Sequence, residues 1–393
     1  MAATDSDNMM AAASVAATRR PQRAGTGRAW WPVLLAALGV FVSHTATAVV
    51  LPEDRTDLLY HYYDGGGVTV NGPAMLVRKS AGDNVSISGR YYVDAISSAS
   101  IDVITTASPY KDKREEFGVG VDYLHGNSLV QASMTSSKEN DYLADTLSLN
   151  VSHDLNGGLT TLNLGFSQGQ DTVQRVDTSF EEDINRYSFR LGATQVLSKS
   201  LLLGVAYEGI SEEGYLSNPY RSARVLGATL PEQYPGARDS QAVSVRAVKG
   251  FSSDQRPVIS SVRADYRYFR DNWGIRSNTL KFALQRYFGN RVLGEARYRY
   301  YQQSAAVFYS DNFASEMTYM ARDKELSTFH SHSLGAKVTW YFMDRKYLFF
   351  ERMSLNFSHD YVNFDYQDFT DVRTGEPYSF GANILQLYIS GWY

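Results

Sequence analysis

Three neighbouring segments of this chain confine their charges to one of the two alternating sets of positions. In "SVRADYRYF", Arg263, Asp265 and Arg267 alternate with Val262, Ala264, Tyr266 and Tyr268. In "LKFALQ", Lys281 opposes Leu280, Phe282 and Leu284; in "VLGEARYRYY", Glu295, Arg297 and Arg299 oppose Ala296, Tyr298 and Tyr300. Side chains on a strand alternate between faces, so each segment carries one apolar face and one charged face. Two uses of such a charged face are open. Arg263, Arg267, Lys281, Arg297 and Arg299 in a narrow passage give a positive field that favours anions. Asp265 and Glu295 are equally placed to close an internal salt-bridge lattice that stiffens a wall or holds a plug.

Other signatures of chemistry are weaker. "GFSQG" (Gly165 to Gly169) has the spacing of a hydrolase elbow, but it runs from a strand into "QDTVQRVD" rather than into the helix that would lift the serine. "DGGGVT" (Asp64 to Thr69) lacks the Lys-Ser/Thr of a phosphate loop and reads as a tight turn between two strands. His330 and His332 share a face, but no third metal ligand can be placed beside them. The acidic run Glu181-Glu182-Asp183 and the pair Glu212-Glu213 read as outer-loop charge, solvated or in weak divalent-cation contact with lipopolysaccharide. No catalytic residue, cofactor or metal is therefore expected, and the chain is read as a non-enzyme.

The elements that must position the charged wall are strands throughout. No segment keeps a helical period over 11 or more residues. Instead, stretches of about ten residues alternate apolar with small or polar side chains, as in "VSISGRYYVDA", "EFGVGVDYL" and "TLSLNVSH". Aromatics make up 13 %, with 28 Tyr, and Gly numbers 30, which suits strands and turns. A net charge of −4 and the lack of a basic helix exclude a nucleic-acid partner. With Cys at 0, disulfides and thiolate metal sites are excluded too.

Connector lengths alternate as well. Short turns such as "HGNS", "DLNGG" and "FGNR" are interleaved with long loops at 96–113, 137–144, 170–184, 211–238, 304–326 and 363–379. Outer-membrane barrels sort their loops this way, with tight turns on the periplasmic side and long loops outside. The expected fold is all-β: an antiparallel up-and-down transmembrane barrel of about sixteen strands, from about 56–64 to about 381–393. Tyr187, Tyr207, Tyr266, Tyr268, Tyr287, Tyr298, Tyr300, Trp340 and Trp392 are expected in girdles at the lipid–water boundaries. Lipid and lipopolysaccharide are then the expected surroundings. An apolar outer face also fixes the charged face as the inner one, because a basic residue costs ~2–4 kcal/mol near the bilayer midplane.

Both ends of the chain fit this reading. Arg19, Arg20, Arg23 and Arg28 precede "PVLLAALGVFV" and then "SHTATA", the pattern of a signal peptide cleaved after Ala46-x-Ala48. The organisation expected is a cleaved signal peptide over 1–48, exported by the general secretory route, and a single barrel over 49–393. The final "NILQLYISGWY" puts Leu385, Leu387, Ile389, Gly391 and Tyr393 on one face. Leu385, Leu387, Ile389 and Tyr393 resemble the C-terminal signal read by the barrel-insertion machinery, with Tyr393 where Phe is usual.

From Leu51 onward the chain resembles the domain-of-unknown-function family numbered 3570, outer-membrane proteins of Gram-negative bacteria. The resemblance is carried by "LPEDRTDLLYHYYDGGGVTVNGPAMLVRK", "YYVDAISSASIDVITTASPYKDKR", "GVDYLHG", "GYLSNPYRSARV" and "FYSDNFASEMTYMARDKELSTF". It implies a signal peptide and an outer-membrane barrel, and it implies no reaction. Two functions follow as expectations. The first is a porin-like channel for small solutes, anions among them. The alternative is a structural or partner-binding barrel that anchors or houses a periplasmic or surface protein without open-pore transport.

Overall fold

The computed structural model describes residues 49–98, 110–253, 256–346 and 348–393. The expected signal peptide with Ala46 and Ala48 lies outside the described residues. Strands β1 (Arg55–Gly65), β2 (Val68–Ser80), β3 (Val85–Ser98), β4 (Tyr110–His125), β5 (Ser128–Lys138), β6 (Tyr142–Leu155), β7 (Thr160–Gln174), β8 (Glu181–Ser198) and β9 (Leu201–Gly214) form the first half of the chain. A small hairpin follows, β10 (Ser222–Val225) with β11 (Ala228–Pro231). The remaining strands are β12 (Ala237–Ser253), β13 (Arg256–Asp271), β14 (Arg276–Phe288), β15 (Val292–Gln303), β16 (Phe329–Met343), β17 (Arg352–Thr370) and β18 (Pro377–Trp392).

All strands but the small hairpin join one closed antiparallel barrel of sixteen strands. Closure comes from β1 pairing β18, in register from Arg55 opposite Trp392 to Gly65 opposite Ala382. No sheet edge is left in this ring, so the backbone donors and acceptors of β1 and β18 satisfy one another, as a lipid-embedded strand requires. The β1–β2 connection is the two-residue turn Gly66–Gly67, both with positive φ (60° and 80°). That backbone matches the twist of the flanking strands and is open to glycine without strain.

Several strands outrun the lengths read from alternation. β8 begins at Glu181 rather than near 186, and β17 runs to Thr370 rather than ending near 363. The extra residues continue the ladder at the loop end, where Ile184 of β8 and Tyr366 and Phe369 of β17 are buried in small apolar clusters and the lipid-facing alternation stops signalling. The long 211–238 connector is also not a bare loop, since it carries β10 and β11.

The outer face is apolar and exposed: Phe117, Val119 and Val121 on β4, Phe189 and Leu191 on β8, Phe282 and Leu284 on β14, Leu355 and Phe357 on β17. On β18, Leu385, Leu387, Ile389 and Gly391 lie opposite Tyr62, Tyr60, Leu58 and Thr56 on β1. Two aromatics depart from the expected girdles. Tyr287 has the parity of the inner-face Gln285, and Trp392 that of Tyr388. Trp392 instead stacks under the Arg352 guanidinium at 4.1 Å.

Candidate functional site: the charged inner wall and its loop cover

Register places the seven charged residues in adjacent rows on the inner face. Asp265 lies opposite Lys281, and Lys281 opposite Arg299; Arg263 lies opposite Ala283, and Ala283 opposite Arg297. Arg267 lies one row towards the loop end, level with Thr279 and Tyr301.

Carboxylates from more distant strands complete this wall. Asp265 pairs with Arg263 at 3.0 Å and with Arg246 of β12. Arg267 Nη2 donates to Glu208 of β9 at 2.9 Å, two strands away. Arg297 donates from Nε to Asp360 of β17 at 2.7 Å and from Nη2 to the second Asp360 oxygen. The same guanidinium bonds Ser358 at 2.6 Å and Glu295 at 3.1 Å.

The Arg297–Asp360 bridge spans β16, and it passes over Gly335, which lies opposite both residues in the ladder. A Cβ at Gly335 would stand 1.8 Å from Asp360 Oδ1 and 2.9 Å from Arg297 Nε. Both side chains lie on the inner, concave side of the sheet, where curvature draws residues two strands apart towards each other.

A second polar network lies on the opposite wall. His61 and Asp94, both buried, bond at 2.8 Å, and the His61 ring stacks on Tyr92. Arg114 adds contacts to Asp94 at 3.8 Å and Glu116 at 2.7 Å.

The two longest connectors fold over this inner wall. Residues 215–236 and 304–328 are joined by isolated bridges Val225↔Phe313 and Gln233↔Met320. Ala223, Val225, Phe313 and Met320 form one small apolar core; Trp273, Ile275, Ala306, Phe308, Ala321 and Leu326 form another. Gln303, on the inner face, donates to the carbonyls of Glu325 and Ser327 at 2.9 Å, which ties the 304–328 segment to the wall.

Within the loops Arg221 pairs with Asp323, and the buried Glu232 accepts from the Arg322 N–H at 2.6 Å and the Tyr234 hydroxyl at 2.5 Å. Burial, with Asp323 beside it, pushes the Glu232 carboxyl up to about 7, against the pull of Arg221 and its hydrogen bonds. Beneath the loops lies a cavity of about 360 Å³. Its wall side includes Arg186, Arg238 and Arg267; Tyr234, Asp323, Glu325 and Leu326 belong to its loop side.

The other sequence motifs fall apart or stay structural. Ser167 of "GFSQG" sits inside β7, paired with Ser148 and Ser188, and no helix follows it. His330 and His332 have the outward parity of Leu334 and pack against Tyr298 and Tyr300, with the Tyr298 hydroxyl 2.8 Å from His332 Nδ1. One acidic group escaped the sequence reading: Asp112, Glu139 and Asp141 hold carboxylate oxygens within 4.8 Å of one another near the loop end. Asn140 donates to Asp112 and Arg114 lies 3.9 Å from Glu139, so the group already has local partners. Burial still pushes Glu139 up to about 7.

Sequence reasoning also passed over Arg246, Glu208, Asp360, Arg186 and Arg238. The parity of Arg246 and Asp360 was available from "AVSVRAVK" and "SLNFSHDYV"; their partners across the sheet were not.

Comparison with known proteins bears on the fold and the family. A family described as "Protein of unknown function (DUF3570)" matches residues 32–353, in agreement with the resemblance carried by the sequence motifs. No curated protein matches. Among solved structures, a bacterial polysaccharide outer membrane secretin superposes with a TM-score of 0.50 at 8 % identity, covering 87 % of this chain and 100 % of the other. A Pseudomonas aeruginosa FadL homologue gives 0.41 at 11 % identity (87 % and 90 % covered), and the outer membrane protein opdK of Pseudomonas aeruginosa gives 0.40 at 10 % (86 % and 99 % covered). At such identities the likeness is one of fold, and the fold is that of an outer-membrane barrel.

Proposed function

The chain belongs to the family of proteins of unknown function DUF3570, and we propose that it is a porin-like channel of a Gram-negative outer membrane that passes small solutes, anions ahead of cations. The carrying observation is the inner wall of β12 to β16. Arg238, Arg246, Arg263, Arg267, Lys281, Arg297, Arg299 and Lys337 share its parity, against Asp265, Asp271 and Glu295 on the same strands and Glu208, Glu212 and Asp360 on the flanking strands β9 and β17. Sixteen strands are in the range that encloses a water-filled lumen, and a basic excess on one wall lowers the energy of an anion passing it. In this reading the chain is exported by the general secretory route with cleavage after Ala48. Leu385, Leu387, Ile389 and Tyr393 then serve as the insertion signal.

Planar-bilayer recording of the folded, purified barrel tests the proposal. Discrete conductance steps are expected, with a reversal potential displaced towards chloride in a KCl gradient. Silence at every voltage would sink it.

One observation favours the alternative of a partner-housing barrel: the two long loops form a cap with two small apolar cores, one of them built on Trp273 and Ile275 of the β13–β14 turn. Silence in the bilayer together with one stoichiometric partner on purification from native membranes would establish that reading instead.

A further inference from the structure

The last rung of the β13–β14 ladder sets Arg270 directly opposite Arg276, and both are exposed. Arg270 has the parity of Tyr266 and Arg276 that of Phe282, so the two guanidiniums project from the outer face of the barrel. They stand at its loop end, beside the turn whose Trp273 carbonyl accepts from Val307 of the loop cover at 2.8 Å. Like charges directly opposite on adjacent strands are destabilising, so the chain carries a cost here that a bound anion would remove.

The neighbouring groups do not supply that anion. Arg270 Nη2 donates to the neutral Gln241 side chain at 3.0 Å, and among the described residues no carboxylate pairs with either arginine. Asp271 points inwards, where it holds Arg238 through bonds of 2.8 and 2.9 Å and accepts from the Ile275 N–H at 2.8 Å. Asp239, on the outer face of β12, accepts from the Ser211 hydroxyl at 2.7 Å. Two cations therefore share this stretch of rim with one carboxylate that is already engaged.

Towards the membrane the same face turns apolar. Tyr266 donates its hydroxyl to Asn278 at 2.7 Å, and beyond it Val262, Phe282 and Leu284 are exposed. Cross-strand partners hold their Cβ atoms ~4.5–5.5 Å apart, so both guanidinium forks can reach one phosphate, whose oxygens match them bidentately. Elsewhere the outward rim is acidic, as at Asp64 and Glu213, where a divalent cation would have to bridge an anionic lipid.

We propose that Arg270 and Arg276 form a docking site for lipopolysaccharide. Both guanidiniums donate to one phosphate of its lipid A, and its acyl chains lie over Phe282 and Leu284. The site rests on the placement of the barrel in the outer membrane and not on the channel reading.

The test is native mass spectrometry of the folded mature barrel in detergent, titrated with lipid A in the presence of EDTA. Lipid A is expected to bind, with its dephosphorylated form ~10-fold or more weaker, because charge-assisted hydrogen bonds are at stake. The double variant Arg270→Gln/Arg276→Gln should weaken lipid A by a similar factor, with heat-modifiable mobility on gels confirming that it folds. Lys113→Gln, at a lysine of β4 already paired with Glu115 at 2.9 Å, should leave binding unchanged, and equimolar inorganic phosphate should not displace the lipid. No binding to the folded wild type overturns the inference, as do equal binding of the dephosphorylated form, unaltered binding by the double variant, or an equal loss in Lys113→Gln. Binding that needs added Mg²⁺ overturns it in favour of the acidic rim, and displacement by free phosphate overturns the commitment to a lipid. Conductance steps without lipid A binding remove this site and leave the channel; binding without steps removes the channel and leaves the site.

Discussion

Replacing Gly335 by alanine should break an ion pair formed between the two strands that flank its own. Arg297 on β15 and Asp360 on β17 meet over β16 at the one point where that strand has no side chain. The new methyl carbon would fall 1.8 Å from the near Asp360 oxygen, 2.7 Å from its Cγ and 2.9 Å from Arg297 Nε. Contact distances of that size cannot be kept, so the carboxylate must rotate away and both of its bonds to Arg297 are lost.

The pair is largely enclosed, with side-chain exposures of 26 % for Arg297 and 11 % for Asp360. A hydrogen bond to a charged group contributes ~1.5–3 kcal/mol, and lumen water together with Ser358 and Glu295 recovers part of the loss. Alanine returns ~0.5–1 kcal/mol relative to glycine in a strand. A net destabilisation of about 1–2 kcal/mol is expected on these terms.

Urea unfolding of the barrel in lipid vesicles, followed by tryptophan fluorescence, measures it. The decisive comparison is a double-mutant cycle with Asp360→Ala. In that background the methyl displaces nothing of value, and Gly335→Ala should become neutral or stabilising. An equal destabilisation in both backgrounds, or a gain in the parent, would refute the bridge across β16.

Other outcomes follow from the same geometry. Phe282→Arg, at the middle of the apolar outer face of β14, should cost ~2–4 kcal/mol in a vesicle unfolding assay. Thr279→Arg, on the inner face of that strand, should cost well under 1 kcal/mol, a difference that reports which side meets lipid. For Glu232 the folded carboxyl lies above its ordinary 4.5, at about 7, so between those values the packed loops retain a proton that the opened loops release. Its contribution to loop stability is therefore fully present below pH 4.5 and lost as pH rises through about 7. Hydrogen exchange at Gln233 and Met320, whose backbones bond each other, should be faster at pH 8 than at pH 5 after correction for intrinsic rates, and Glu232→Gln should remove the difference.

Alternation with a period of two is a local property, and it sufficed for much of the molecule. It assigned Phe282 and Leu284 to one face and Lys281 to the other, separated Leu385, Leu387 and Ile389 from Gln386 and Tyr388, and brought the count to sixteen strands whose first and last can close. It failed where locality fails. At strand ends such as Glu181–Asp183 the lipid-facing alternation has already ceased, so no pattern marks where the ladder stops. Within a wall, parity says that Arg297 and Asp360 point the same way, but not that they touch: that depends on the register of β15, β16 and β17, on curvature, and on the gap at Gly335. The fold of 215–236 over 304–328 was equally closed to a reading along the chain. Its small apolar cores are built from scattered residues, Val225 with Phe313 and Trp273 with Leu326, whose proximity exists only once the barrel holds the loop ends together.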